Sequence, residues 1–311
     1  MVHSFCTRKL EDVTILLKYY YHFDLICCVL HFSFSLVTIS GNILVIHALK
    51  RVHSIPATLK TLFLSLAFSD LGVGFYVQPM LGVMIALTLN TAAKGSYNFD
   101  FLCPSALTVN VYFAYFLSGA SFFTIAAIAL DRFVAVTFHL RYQELITEKR
   151  VGIAITISWL TSGLVGFAFI GISTHDSLVN IAVQTLGLLV ITVTYLRIFK
   201  IVRYHRHKIQ SELHTQNGKA IATFRAKKSV INCFYVYIIV MACYVPNIIA
   251  SILLIVDKSK PSFVIVYYVS TLVICINSSL NPLVYCWRYP EIRNIVINTV
   301  KKVFCINNRM A

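Results

Sequence analysis

Residues 229–256 read SVINCFYVYIIVMACYVPNIIASILLIV, a run without a charged side chain. About 20 consecutive apolar residues suffice for a helix to cross the hydrocarbon core of a bilayer. Six further runs reach that length: about 23–49, 59–87, 105–137, 151–172, 178–202 and 262–286. A barrel strand needs only about 9–11 residues in strict alternation, and these runs are too long and too evenly apolar for that. The expected fold is therefore an all-α membrane protein, a bundle of seven transmembrane helices. The first run begins after 22 mixed residues and lacks a small-residue cleavage site, so it reads as a span and not a signal peptide.

Composition agrees with the runs. Of 311 residues, 58% are hydrophobic and 13% charged, against about 25% charged in soluble domains. This excludes a soluble domain and a disordered chain. It also excludes a nucleic-acid partner despite a net charge of +15. The charge belongs to the loops. Alternate connections divide the 27 Lys and Arg into 21 on one side and 6 on the other. The positive-inside rule places the N-terminus outside and the C-terminus in the cytosol. The expected organisation is an extracellular tail (1–22), a transmembrane domain (23–286) and a cytoplasmic segment (287–311). The longest connection, about 204–225, is polar and basic. Past Pro290, the residues Ile292, Ile295, Val296, Val300 and Val303 follow helical spacing with Arg293, Lys301 and Lys302 elsewhere. That pattern predicts an amphipathic helix lying on the inner leaflet. Cys305 follows it in a basic context, either a palmitoylation site or a plain thiol. Cys6 and Cys103 lie on the oxidising side and are candidates to pair.

Polar groups inside a bilayer are costly, and each is a functional candidate. Asp70, in LSLAFSD, reads as the only carboxylate deep in a span. Asn42, Ser121, Asn277 and Asn281 are the strong hydrogen-bonding groups elsewhere in the spans. A buried Asp is either neutral or held by a cation and neutral partners. These oxygen donors suit a hard cation or water, and equally a static knot between helices. Asp131-Arg132-Phe133 closes the third span, where an Arg also serves as a snorkelling anchor. Pro246 and Pro282 break backbone bonds in the sixth and seventh spans. No Ser/His/Asp grouping, HExxH or metal spacing occurs in the bundle, which argues against an enzyme. A transporter or channel is the alternative, disfavoured by one deep carboxylate and no internal repeat.

Together these motifs resemble the rhodopsin-like (class A) G-protein-coupled receptors. Gly41-Asn42 resembles the first-helix signature, LSLAFSD the second, and DRF (131–133) the family's DRY. Trp159 and Tyr195 match fourth- and fifth-helix residues. CYVP (243–246) is a variant of CWxP, and NPLVY (281–285) is a full NPxxY. The resemblance covers about residues 23–305. It implies a sodium and water pocket at Asp70, Ser121, Asn277 and Asn281, with an allosteric sodium ion and no other cofactor. It implies that Arg132, beside Asp131, contacts a heterotrimeric G protein when the sixth helix, hinged at Pro246, swings out. Tyr195 and Tyr285 would turn inward in the active state, and Tyr244 replaces the toggle tryptophan. The implied location is the plasma membrane, with an extracellular ligand outside.

Departures from the pattern narrow the ligand. No cysteine lies between 104 and 232, so the usual disulfide to the second outer loop is impossible. That loop (about 173–179) is short, and Gly187 replaces the usual fifth-helix proline. These features are similar to the melanocortin, lipid, cannabinoid and adenosine receptor cluster. The sixth helix begins Arg225-Ala226-Lys227, without the acidic residue that often clasps the DRY arginine, so basal signalling is expected. Ala114 stands where amine receptors carry an aspartate, Cys275 where opsins carry a lysine, and Met80, Leu107 and Val111 where melanocortin receptors are acidic, so a biogenic amine, a light sensor and melanocortin peptide chemistry are each disfavoured. The expected pocket consists of Gln78, Val111, Ala114, Tyr115, Ser118, Asn247, Ser251, Tyr267, Tyr268 and Thr271. Its apolar, aromatic walls suit a lipid or a neutral small molecule, although each aromatic is also at home in packing or an interface belt.

Overall fold

The computed structural model describes the backbone of residues 2–93, 105–138, 140–171, 176–212, 218–257 and 260–303. Side chains are described for 21–90, 108–138, 140–168, 178–204, 237–257 and 260–303. The chain runs through helices α1 (Val2–Leu49), α2 (Ala57–Gly72), α3 (Gln78–Ala93), α4 (Ser105–Thr137), α5 (Tyr142–Leu145), α6 (Glu148–Gly171), α7 (Asp176–Glu212), α8 (Gly218–Val256), α9 (Pro261–Arg288) and α10 (Pro290–Val303). No strand occurs among the described residues. Seven stretches are long and apolar enough to cross a membrane: Tyr21–Leu49, Ala57–Asn90, Thr108–Thr137, Glu148–Ala168, Leu178–Tyr204, Tyr237–Val256 and Pro261–Arg288. The seven-helix expectation is met.

Two boundaries differ. The segment set apart as a tail continues α1 back to Val2, and most of the connection expected over 204–225 is helix, belonging to α7 and α8. The added residues contain no proline, so nothing in them blocks continuation of an existing helix.

The second span contains a π-helical turn, Val73–Val77, between α2 and α3. The Gln78 amide donates to the Val73 carbonyl, five residues back. Pro79 follows and cannot donate to a carbonyl four residues back. A wider turn just before the proline accommodates that loss.

The third span, α4, lies at the centre and packs on α2, α6 and α7. Apolar side chains cover the outside of the bundle: Leu164 is 73% and Phe167 71% exposed. Such a surface is stable against lipid and not against water. The first and seventh spans meet closely. A β-carbon on Gly41 would lie 3.1 Å from Pro282 Cγ. Pro282 frees the carbonyl of Ser278, and the Asn42 amide donates to it at 3.1 Å. Thr38 and Ser279 hydroxyls pair at 2.6 Å one turn further along α1. Glycine, asparagine and proline thus form one joint: close approach, an orphan acceptor and its donor.

The amphipathic helix is present as α10. Its Ile292 is fully buried, and α10 packs against α1 and α9. Glu291 accepts bonds from the His53 amide at 3.1 Å, the Ser54 amide at 3.2 Å and the Ser54 hydroxyl. The Ser54 hydroxyl, followed by the His53 amide, holds the Glu291 carboxyl below its ordinary value.

Candidate functional site

Asp70 is fully buried in α2. Ser121 of α4 donates to its Oδ1 at 2.9 Å, and Asn281 of α9 donates to its Oδ2 at 2.6 Å. Ser278, which the sequence reading passed over, also hydrogen-bonds the carboxyl. Asn277 is buried with its Oδ1 unpartnered. No hydrogen bond among the described residues joins it to Asp70. The group expected around Asp70 is therefore assembled in part, from three spans. Asp70 and Ser121 are hard oxygen donors of the kind a sodium ion takes, and the buried Asn277 oxygen is a further one on the seventh span.

At one end of the bundle lies the Asp131-Arg132 pair. The Arg132 Nε donates to Asp131 Oδ2 at 2.8 Å, and its Nη2 bonds the same oxygen. Tyr142 of the short helix α5 donates to Asp131 Oδ1 at 2.8 Å and lies 3.4 Å from Arg132 Nη2 and from the Thr58 hydroxyl. Burial, acting first, raises the Tyr142 phenol above its ordinary value, so at neutral pH it is a protonated donor. Asp131 is 3% exposed at its side chain and Arg132 19%. Arg132 is thus folded back onto its own helix by a neighbour and a loop tyrosine. The sequence carried no signal for Tyr142. The side chains of Arg225, Ala226 and Lys227 lie outside the described residues.

Between this end and the opposite one lies an aromatic connection. Tyr244 sits on Phe122 with ring centroids 4.6 Å apart. A β-carbon on Gly187 would fall 2.2 Å from Phe122 Cε1. The missing side chain in the fifth span is the space the Phe122 ring occupies. Tyr195 is buried and packs against Tyr237 at 5.5 Å. Tyr285 is buried against Phe63 at 4.6 Å, its hydroxyl without a partner among the described residues. Trp159 reaches across to donate to Ser65 at 3.0 Å, joining the fourth span to the second.

The opposite half holds a cavity of about 240 Å³. Val111, Ala114, Tyr115, Ser118, Asn247, Tyr267, Tyr268 and Thr271 line it as expected. Gln78 and Ser251 do not. Past the π turn Gln78 is fully buried, its amide 3.4 Å from the Cys275 carbonyl between the second and seventh spans. Ser251 is buried off the cavity wall with its hydroxyl unpartnered. Two wall groups were missed. Gln184 of α7 donates to Asn180 at 2.8 Å and to Asn247 at 3.1 Å, and Asn247 donates to Ser270 at 3.0 Å. Asp24 and His31 of α1 also line the cavity, 6% and 5% exposed. The expectation of a wall with neutral polar groups only, and of one buried span carboxylate, is corrected by Asp24. A sequence signal existed for these two. Asp24, Cys27, Cys28, His31, Ser35, Thr38 and Asn42 are all buried and recur at helical spacing on one face of α1. Cys103 and Cys305 lie outside the described residues, as does the Cys6 side chain.

A model of the 7 transmembrane receptor (rhodopsin family) matches residues 41–180. The chain is 24% identical to adenosine receptor A3 of Ovis aries over 299 residues, 86% of this chain and 87% of that receptor. It is 25% identical to melanocortin receptor 3 of Homo sapiens over 290 residues, 89% and 85% of the two chains. It is 30% identical to the histamine H2 receptor of Cavia porcellus over 234 residues, 68% and 61%. Adenosine and melanocortin receptors are two of the groups to which the short loop and the absent proline pointed.

Proposed function

The chain is a rhodopsin-like (class A) G-protein-coupled receptor, and from that premise we propose how it signals. An apolar-bodied ligand, a lipid or similar small molecule, enters the cavity at the Asp24 end, which faces outside. Its binding favours a state in which the sixth span swings outward at Pro246 and the Arg132 end accepts a G protein. A ligand shifts this equilibrium only through different affinities for the two states. The cavity offers the means, because Tyr244 lines it and also packs on Phe122. Motion of the sixth span displaces both rings.

The observation that carries the reading is the closed state of Arg132. It is held by Asp131 and Tyr142, bonds that break when the guanidinium turns to a partner. Asp70, Ser121 and Asn277 would hold a sodium ion, which supplies a countercharge in the interior when bound. Asp70 itself links three spans through its hydrogen bonds from Ser121 and Asn281. The test is G-protein activation in cells at matched surface expression, with wild type against Arg132→Ala. Loss of basal and ligand-driven output in the variant is expected. Unchanged output would refute the mechanism.

A further inference from the structure

The cavity contains buried polar atoms without a hydrogen-bond partner, three of them acceptor oxygens. Asp24 Oδ2, His31 Nδ1, Asn110 Oδ1 and Gln184 Oε1 are all buried without a partner, and all four residues line the cavity. Leaving such groups dry and unpaired is costly, most of all for a carboxylate. Among the described residues lining the cavity, Asp24 is the one carboxylate, and no Lys or Arg stands with it.

We propose that the ligand is an organic amine with an apolar, aromatic or alkyl body, its ammonium held by Asp24 of the first span. This rests on the receptor reading and narrows its ligand. An ammonium brings three donors and a positive charge, and charge-assisted bonds to a carboxylate are the strongest available here. The apolar body lies among Tyr115, Phe123, Tyr267 and Tyr268. His31, seven residues and about 10 Å along the helix from Asp24, accepts from a second donor deeper in the ligand. Ala114 leaves the third span without a carboxylate, so the amine is gripped from the opposite wall, between the first, second and seventh spans. An anionic or purely acceptor-bearing lipid would leave the oxygens of Asp24, Asn110 and Gln184 unpaired.

The experiment uses the full chain in nanodiscs and two probes, 4-phenylbutylamine and its N-acetyl derivative, with binding read by thermal-shift titration. The amine is expected to bind wild type at least tenfold more tightly than the acetamide. Asp24→Asn keeps the shape and removes the charge. It is expected to weaken the amine about ten- to a hundredfold and to leave the acetamide within threefold. Because the two probes are compared on wild type, a poorly folding variant does not decide the matter. Equal binding of the two probes, no amine binding at millimolar concentration, or amine affinity unchanged in Asp24→Asn would each overturn the proposal. G proteins are absent from this assay. Loss of amine preference with Arg132-dependent signalling intact refutes this inference alone, whereas amine preference with G-protein output unchanged by Arg132→Ala refutes the receptor mechanism alone.

Discussion

Gly187→Ala tests the aromatic connection at its tightest point. The new methyl would stand 2.2 Å from Phe122 Cε1 and 2.5 Å from Cζ. Ordinary carbon contacts begin near 3.4 Å, so the ring must retreat by more than an ångström. It has little room to do so. Phe122 is 3% exposed, and its other side meets Tyr244 at 4.6 Å. Tyr244 is itself 4% exposed and belongs to the same core cluster as Leu188 and Ile191. Overpacking of this kind costs about 1–3 kcal/mol. The assay is thermal unfolding of the purified receptor for wild type, Gly187→Ala, Phe122→Leu and the double variant. Phe122→Leu removes the edge that the methyl strikes, so the double variant is expected to recover most of the loss. The coupling energy should be about 1–2 kcal/mol, within the range for residues in contact. A Gly187→Ala receptor that melts with wild type, or a double variant additive within about 0.5 kcal/mol, would refute the packing argument.

Three further outcomes are expected. Asp70→Asn abolishes any sodium dependence of agonist affinity, measured by radioligand competition with sodium against a larger cation; a sodium effect that survives excludes the site. Tyr142→Phe removes the donor to Asp131 and the oxygen near Arg132 and Thr58. One hydrogen bond to a charged group amounts to about 1.5–3 kcal/mol, so basal G-protein output should rise at least fivefold, and unchanged or lower output contradicts the lock. The docking of α10 depends on pH through Glu291, whose folded value lies below its ordinary 4.5. The contribution is present above 4.5 and is lost as pH falls through the folded value. A spin label at position 297 should gain mobility only on that acid limb, and Glu291→Gln should remove the transition; mobility that rises near pH 6 would assign it to another group.

The seven spans were legible because a bilayer filters sequence so strongly: a run such as 229–256 has few other fates. Asp70, Ser121 and Asn281 were legible for the same reason, since polar groups in hydrocarbon must find each other. Tyr142 was not, because a tyrosine in a short surface helix looks like any other until the chain folds back on Asp131. Asp24 lies where the first span opens, and a charge near a helix end reads as an ordinary interface residue. Its burial follows from the face it shares with His31, Ser35 and Asn42. Gln78 and Ser251 were misplaced because pocket walls were counted along uniform helices. Ser251 follows a proline within α8, and Gln78 follows the π turn.

That turn at Val73–Val77 has a consequence for comparing this chain with its relatives. A π turn is what a one-residue insertion looks like once a helix has absorbed it. Counting outward from Asp70 therefore keeps pace with a plain helix only as far as Gly72. Beyond it every position is offset by one residue, about 100° of rotation. Removal of one residue within 73–77 would restore the plain spiral and swing Gln78 away from Cys275.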